Sequence, residues 1–185
     1  MRIHPEGADG SANSFGHFGR TTNGGGPGHM IDLGCLVEGA QYEFTAKFKL
    51  LDEANNLAPV PCKTNVAWGD PELCPLLSIL AIDENGNAAN ALNYVNTDPS
   101  TVNATSFNKY RAIITVDAAL AASKEANFLF KGSRPGLATL LDDIVIKIYE
   151  PPESNCDSMV ANGDFEVRKY FQRCPSATSF FTIII

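Results

Sequence analysis

The chain has little of what nucleic-acid binding or membrane insertion requires. Its 14 Lys and Arg residues are outnumbered by 21 Asp and Glu, giving a formal net charge of −7. An acidic balance lacks the basic footprint that phosphate backbones and anionic lipid surfaces attract, so neither partner is expected. No run of about 18 apolar residues occurs, so no spanning helix and no membrane insertion are expected. The opening MRIHPEGADGSANSFGHFGR is polar and Gly-rich, with no apolar central stretch, so no signal peptide is expected within it. Trp68 is the sole tryptophan, and there are three histidines.

Signatures of catalysis are missing as well. No Gly-x-Ser-x-Gly elbow appears. The cluster TTNGGGPG has neither a Walker lysine nor the Gly-x-Gly-x-x-Gly spacing before a helix. A glycosidase needs two carboxylates held about 5 to 10 Å apart. Here the acids are scattered, and Asp142 and Asp143 are strand neighbours expected to point to opposite faces. The chain is expected not to be an enzyme.

What is present is a pattern of strands. QYEFTAKFKLLDE puts Tyr42, Phe44, Ala46, Phe48 and Leu50 on one face and Gln41, Glu43, Thr45, Lys47 and Lys49 on the other. That period of two belongs to a strand packed on one side. CPLLSILAID is apolar on both faces and reads as a central strand. SFGHFGR, HMIDLGCL, NKYRAIITVD, NFLFKGSR and LDDIVIKIYE read as further strands, with SFGHFGR at an edge. Residues up to about Asn13 read as loop or disordered lead. NAANALNYVN holds a short strand at most, and AALAASKEA a short helix. About seven strands with turn chemistry between them imply an all-β, antiparallel sandwich. Tyr42, Phe44, Phe48, Ile144, Ile146 and Ile148 are its expected core. Pro151-Pro152 closes the unit, so the domain is expected over residues 14–152, followed by a linker and further segment over 153–185.

Five cysteines point to an oxidising compartment. Cys62 and Cys74 bracket PCKTNVAWGDPELC and are expected to form a disulfide, with Cys35 as rival partner for either. Cys156 and Cys174 bracket a later segment. Zinc is the competing reading, weakened by the absence of Cys-x-x-Cys and by the distance of His4, His17 and His29 from most cysteines. Asn103-Ala104-Thr105 is the only N-glycosylation sequon, and it falls in a polar loop.

Three segments resemble a known family in order. LVEGAQYEFTA is similar to the middle of jelly-roll carbohydrate-binding modules of the galactose-binding-like group, the modules attached to xylanases and cellulases. Asp142-Asp143-Ile144 resembles their closing strand. Asn162-Gly163-Asp164-Phe165-Glu166 resembles their opening strand and begins anew after the Pro-rich linker. The resemblance implies one module over residues 14–152 without its own opening strand, then the truncated start of a second. An alternative is that VANGDFEV folds back onto an edge of the first module.

The resemblance also implies a function. A non-catalytic module of a secreted or cell-surface multidomain protein would bind a polysaccharide, with neighbouring repeats as further partners. Trp68, Tyr94 and Tyr149 are the aromatic candidates off the core face for stacking on sugar rings. Glu43, Lys47, Lys49 and Arg111 would line a polar sheet face. A structural calcium is implied between closing and opening strands, with Asp142 and Glu166 as oxygen donors. Asp142 is expected on the side of Ile144, Ile146 and Ile148; the plainer alternative has it accepting backbone hydrogen bonds. A different class remains open: a structural or adhesive repeat that meets proteins and no sugar. A third possibility is an accessory module of a glycoside hydrolase whose catalytic domain lies outside this chain.

Overall fold

A computed structural model describes residues 2–8, 13–19, 26–32, 36–64, 66, 67, 70–83, 85–98, 102–123, 125–131 and 134–149. The strands are β1 (Arg2–His4), β2 (Ser14–His17), β3 (Gly28–Asp32), β4 (Gln41–Asp52), β5 (Ala58–Pro59), β6 (Leu76–Ile82), β7 (Ala88–Tyr94), β8 (Asn108–Thr115), β9 (Glu125–Lys131) and β10 (Leu137–Ile148). One short helix, α1 (Ala118–Ala122), stands between β8 and β9, with Asp117 accepting a hydrogen bond from the Leu120 N–H at its start. The first sheet runs β1-β2-β10-β4, and β4 is flanked beyond by β5 at one end and β8 along the other. The second sheet runs β3-β9-β6-β7. All named strand pairs are antiparallel. From β3 onward the chain passes back and forth between the sheets, the connectivity of a jelly-roll sandwich.

The alternation in β4 builds the core as expected. Tyr42, Phe44, Ala46, Phe48 and Leu50 are buried between the sheets, together with Ile146, while Ile148 and Ile144 are half-buried against them. Across the gap stand Leu77, Ile79 and Ala81 of β6 and Ala126, Phe128 and Phe130 of β9. Burying a side chain such as Phe48 contributes roughly 2–3 kcal/mol. Tyr110 of β8 joins the sheets by chemistry as well as packing. Its ring meets Phe130 edge-on at 4.9 Å. Its hydroxyl donates to the Tyr94 carbonyl at 2.6 Å and accepts the Leu77 N–H at 2.8 Å. Burial, outweighing the Leu77 hydrogen bond, pushes the Tyr110 hydroxyl well above the usual tyrosine range, so it stays protonated and able to donate.

Three sequence expectations change here. First, residues before Asn13 are not all lead: β1 pairs with β2, which therefore is an interior strand. A three-residue strand is too short to show a period, which is why it was not legible. Second, β7 is a full seven-residue strand although its sequence is polar, because it pairs along β6. Third, β10 bulges between Asp142 and Val145, and Asp143 takes a positive φ of 49° there. One extra residue inverts the alternation. Leu141 faces the core opposite Phe48, Asp142 faces outward opposite Lys47, and beyond the bulge Ile146 faces the core opposite Phe44. Asp142 thus lies on the side away from Ile146 and Ile148. Asp143 lies on that outer side too, ion-paired with Lys47 at 2.7 Å, so the two carboxylates do not face opposite ways.

Candidate glycan-binding face

The sandwich offers two outer faces, and their chemistry differs. On the first sheet the outer residues of β4 are charged, and most are neutralised in place. Glu43 bonds both Arg111 of β8 and Lys147 of β10, at 2.5 and 2.7 Å. Lys49 pairs with Glu6, and Lys47 with Asp143. Glu43 and Lys49 are buried, each beside its own ion-pair partners, contrary to the simple expectation of an exposed polar face. Burial alone would raise the Glu43 carboxyl, but hydrogen bonds from Lys147 and Arg111 outweigh it and hold it below the usual range.

Tyr149 follows β10 and lies off the core, as expected. The Arg111 guanidinium stands over its ring at 5.6 Å, so one ring face is already occupied by a cation. Tyr94 does not lie off the core. It sits opposite Leu77 in the register and packs half-buried against the main core. Its Asn-rich neighbourhood concealed that the strand alternates, with Leu92 and Tyr94 inward. Trp68 lies outside the described residues. Its loop is closed by the Cys62–Cys74 disulfide, with Cα atoms 4.9 Å apart. Backbone bonds between Lys63 and residues Glu72 and Cys74 reinforce the closure. Cys35 and the pair Cys156 and Cys174 lie outside the described residues.

Asp142 is 2% exposed and carries two backbone hydrogen bonds: Oδ2 accepts from the Ala8 N–H at 2.7 Å and Oδ1 from the Asp143 N–H at 2.9 Å. These tie the N-terminal segment to the closing strand. Among the described residues no three His, Cys, Asp or Glu side chains gather in one place. Glu166, the other implied donor, and the whole of residues 153–185 lie outside the described residues.

The outer face of the second sheet was not singled out in the sequence. Alternation about the core-facing Leu77, Ile79, Phe128 and Phe130 turns Leu76, Ser78, Leu80, Asn127, Leu129 and Lys131 outward. Ser78 stands between Leu129 on β9 and Asn93 on β7. Lys131 Nζ reaches across β6 to Asn93 Oδ1 at 3.4 Å, spanning the strand that carries Ser78. Beneath that span the Ser78 hydroxyl is fully buried and has no hydrogen-bond partner among the described residues. A buried polar group normally finds one, and leaving it unpaired costs about 1–3 kcal/mol. Leu80 and Leu129 form a half-buried apolar floor, and Met30 of β3 is exposed at its side. Gly28 keeps that side low, since a Cβ there would come within 2.9 Å of Leu129 Cδ1 and 3.0 Å of Asn127 Oδ1. The signal that could have exposed this face was the alternation Asn127, Leu129, Lys131 within NFLFK, and one serine in the otherwise apolar LLSILAI.

No family model matches the chain, and no curated protein matches it. Several solved structures share the sandwich. The CBM22-1 xylan-binding domain from a Paenibacillus barcinonensis protein is 14% identical, over 79% of this chain and 78% of that one, with a TM-score of 0.49. The CBM22-1 and GH10 modules of a Clostridium thermocellum endo-1,4-beta-D-xylanase, complexed with xylohexaose, are 12% identical. That match covers 84% of this chain but 25% of the xylanase, with a TM-score of 0.46. The C-terminal domain of EclA, a sugar-binding protein, is 14% identical over 76% of this chain and 81% of that one, at a TM-score of 0.37. At such identities and TM-scores nothing is carried over from these structures to this chain.

Proposed function

We propose that the chain is a non-catalytic carbohydrate-binding module of a secreted or cell-surface multidomain protein, and that the outer face of its second sheet receives a soluble polysaccharide of the β-glucan or xylan type. The observation that carries this reading is the Asn93–Lys131 span across β6 beside a half-buried apolar floor of Leu80 and Leu129. A pyranose presents C–H surface and hydroxyls together. Leu80, Leu129 and Met30 match the first, and Asn93, Asn127 and Lys131 the second. The order of sequence segments similar to carbohydrate-binding modules supports the same reading. The Trp68 loop joins the face by connectivity: Cys74 leads directly into Leu76, whose register partner is Lys131. We assign Trp68 to stacking on the sugar at that end of the face.

A second reading keeps the fold and drops the sugar. Among the described residues the outer face of the second sheet carries no aromatic ring, which favours a structural or adhesive repeat. Affinity electrophoresis and calorimetry against a panel of soluble polysaccharides separate the two. The expected result is modest affinity, because few contacts remain after the cost of association. Combined Asn93→Ala and Lys131→Ala, and separately Trp68→Ala, each reduce affinity about fivefold or more, the loss of roughly 1 kcal/mol. If no glycan retards the protein, or if all these variants bind as the parent does, the adhesive-repeat reading replaces this one.

A further inference from the structure

We propose that Asn103 is an acceptor for N-linked glycosylation, taking an oligosaccharide from a lipid-pyrophosphate donor. The triplet Asn103-Ala104-Thr105 has the required Asn-x-Thr pattern without proline at the middle position. Both Asn103 and Thr105 are exposed. The Asn103 Oδ1 accepts the Thr105 N–H at 2.8 Å and the Thr105 hydroxyl at 2.9 Å, so the hydroxyl the pattern calls for already touches the acceptor amide. All the hydrogen bonds of that side chain fall on its oxygen, which leaves the amide nitrogen Nδ2 exposed and uncommitted among the described residues.

The neighbouring asparagine shows the contrast. Asn108 is buried, and its Nδ2 is spent on the Asn103 and Ser106 carbonyls at 2.7 and 3.1 Å. Its Oδ1 accepts the Asn103 N–H at 2.6 Å. The loop is therefore held by Asn108 through backbone groups, and the Asn103 side chain is not needed to shape it. Two features suit an attached glycan. The loop leads into β8 and its Phe107 packs on a small cluster of Leu51, Ala138 and Leu140 on the outer side of the first sheet, so the candidate face on the second sheet stays clear. The Cys62–Cys74 disulfide belongs to the same oxidising compartment in which this transfer takes place.

In the transfer, Nδ2 attacks the anomeric carbon of the first sugar. The bond from that carbon to the pyrophosphate oxygen breaks, its electron pair leaves with the lipid pyrophosphate, and Nδ2 gives up one proton. The test is secretion of the full chain from a eukaryotic host behind that host's own leader, followed by intact mass and peptide mapping before and after peptide N-glycosidase. The expected result is a glycan on Asn103 in most molecules, removed with conversion of Asn103 to Asp. Occupancy is expected to be lost in Thr105→Ala and retained in Thr105→Ser. Folding of each variant is checked by its melting curve. Secreted, folded parent protein that carries unmodified Asn103 in most molecules overturns the proposal, as does a Thr105→Ala variant with parental occupancy.

Discussion

The two outer faces of this sandwich are built from the same alternation and differ in how much of their polar surface is ion-paired. On the first sheet, charge meets charge: Glu43 is shared by Arg111 and Lys147, Lys47 holds Asp143, and Lys49 holds Glu6. On the second sheet the outer residues are amide, hydroxyl, ammonium, carboxylate and aliphatic groups, and each sheet holds one buried hydroxyl without a partner among the described residues, Ser78 here and Ser14 on the first. A face that satisfies itself has little to offer a neutral ligand, because every contact must first displace an existing ion pair. A face with an apolar floor and neutral amides gains from a ligand that covers the floor and meets the amides. The first face should therefore matter to stability and the second to binding.

The largest effect expected lies where the two sheets are joined by the stapled loop between β5 and β6. Replacing Cys62 and Cys74 by serine frees a closure of 12 residues and should cost about 3 kcal/mol in urea or thermal unfolding. If the second sheet receives the glycan as proposed, with Trp68 of this loop stacking on it, affinity should fall as well. Unchanged affinity in the folded variant would detach the loop, and Trp68 with it, from the site.

Next in size is Glu43→Ala. Glu43 has a side chain 11% exposed, but Arg111 and Lys147 are 35% and 46% exposed and can turn to water. The expected loss is about 1–2 kcal/mol, below that of a fully buried pair. Polysaccharide affinity should not change. The Asn93 and Lys131 replacements should behave the other way, with weaker binding at nearly constant melting temperature. A Glu43 variant that loses affinity at parental stability would reverse the assignment of the faces.

The smallest effect is a pH dependence confined to the first face. The Glu43 carboxyl is held below its ordinary value of 4.5 in the folded state. Its contribution is present in full above that ordinary value and is lost as pH falls through the lower, folded value. The melting temperature should therefore drop on the acid side, and Glu43→Gln should flatten part of that drop. Equal acid sensitivity in both proteins would show that other groups govern it.

Much of the sandwich was legible because strand periodicity is a local property. The five inward residues of β4, the central placement of β6 and the closing of the Cys62–Cys74 loop all follow from spacing within short stretches. Asp142 shows where that logic stops. Its side was inferred by counting twos from Ile148, and the bulge at Asp143 breaks the count. Nothing in LLDDIVI announces a bulge, because either register buries comparable apolar area until the partner strand is chosen. Tyr94 was misplaced for a related reason: a polar stretch hides its inward positions until β6 pairs with it.

The sequence by itself determined the class of architecture, the core-facing pattern, the loop staple, the acidic balance and the lack of an apolar run long enough for a spanning helix. These depend on composition and on intervals of two residues or a dozen. Only the tertiary structure decided which outer polar groups are paired, and with what. That distinction rests on residues far apart in the chain, Glu43 with Arg111 and Lys147, and Ser78 beneath Asn93 and Lys131. Whether a polar group is satisfied depends on what stands within about 3 Å of it, and that is fixed by strand pairing across the sheet, not by neighbours along the chain.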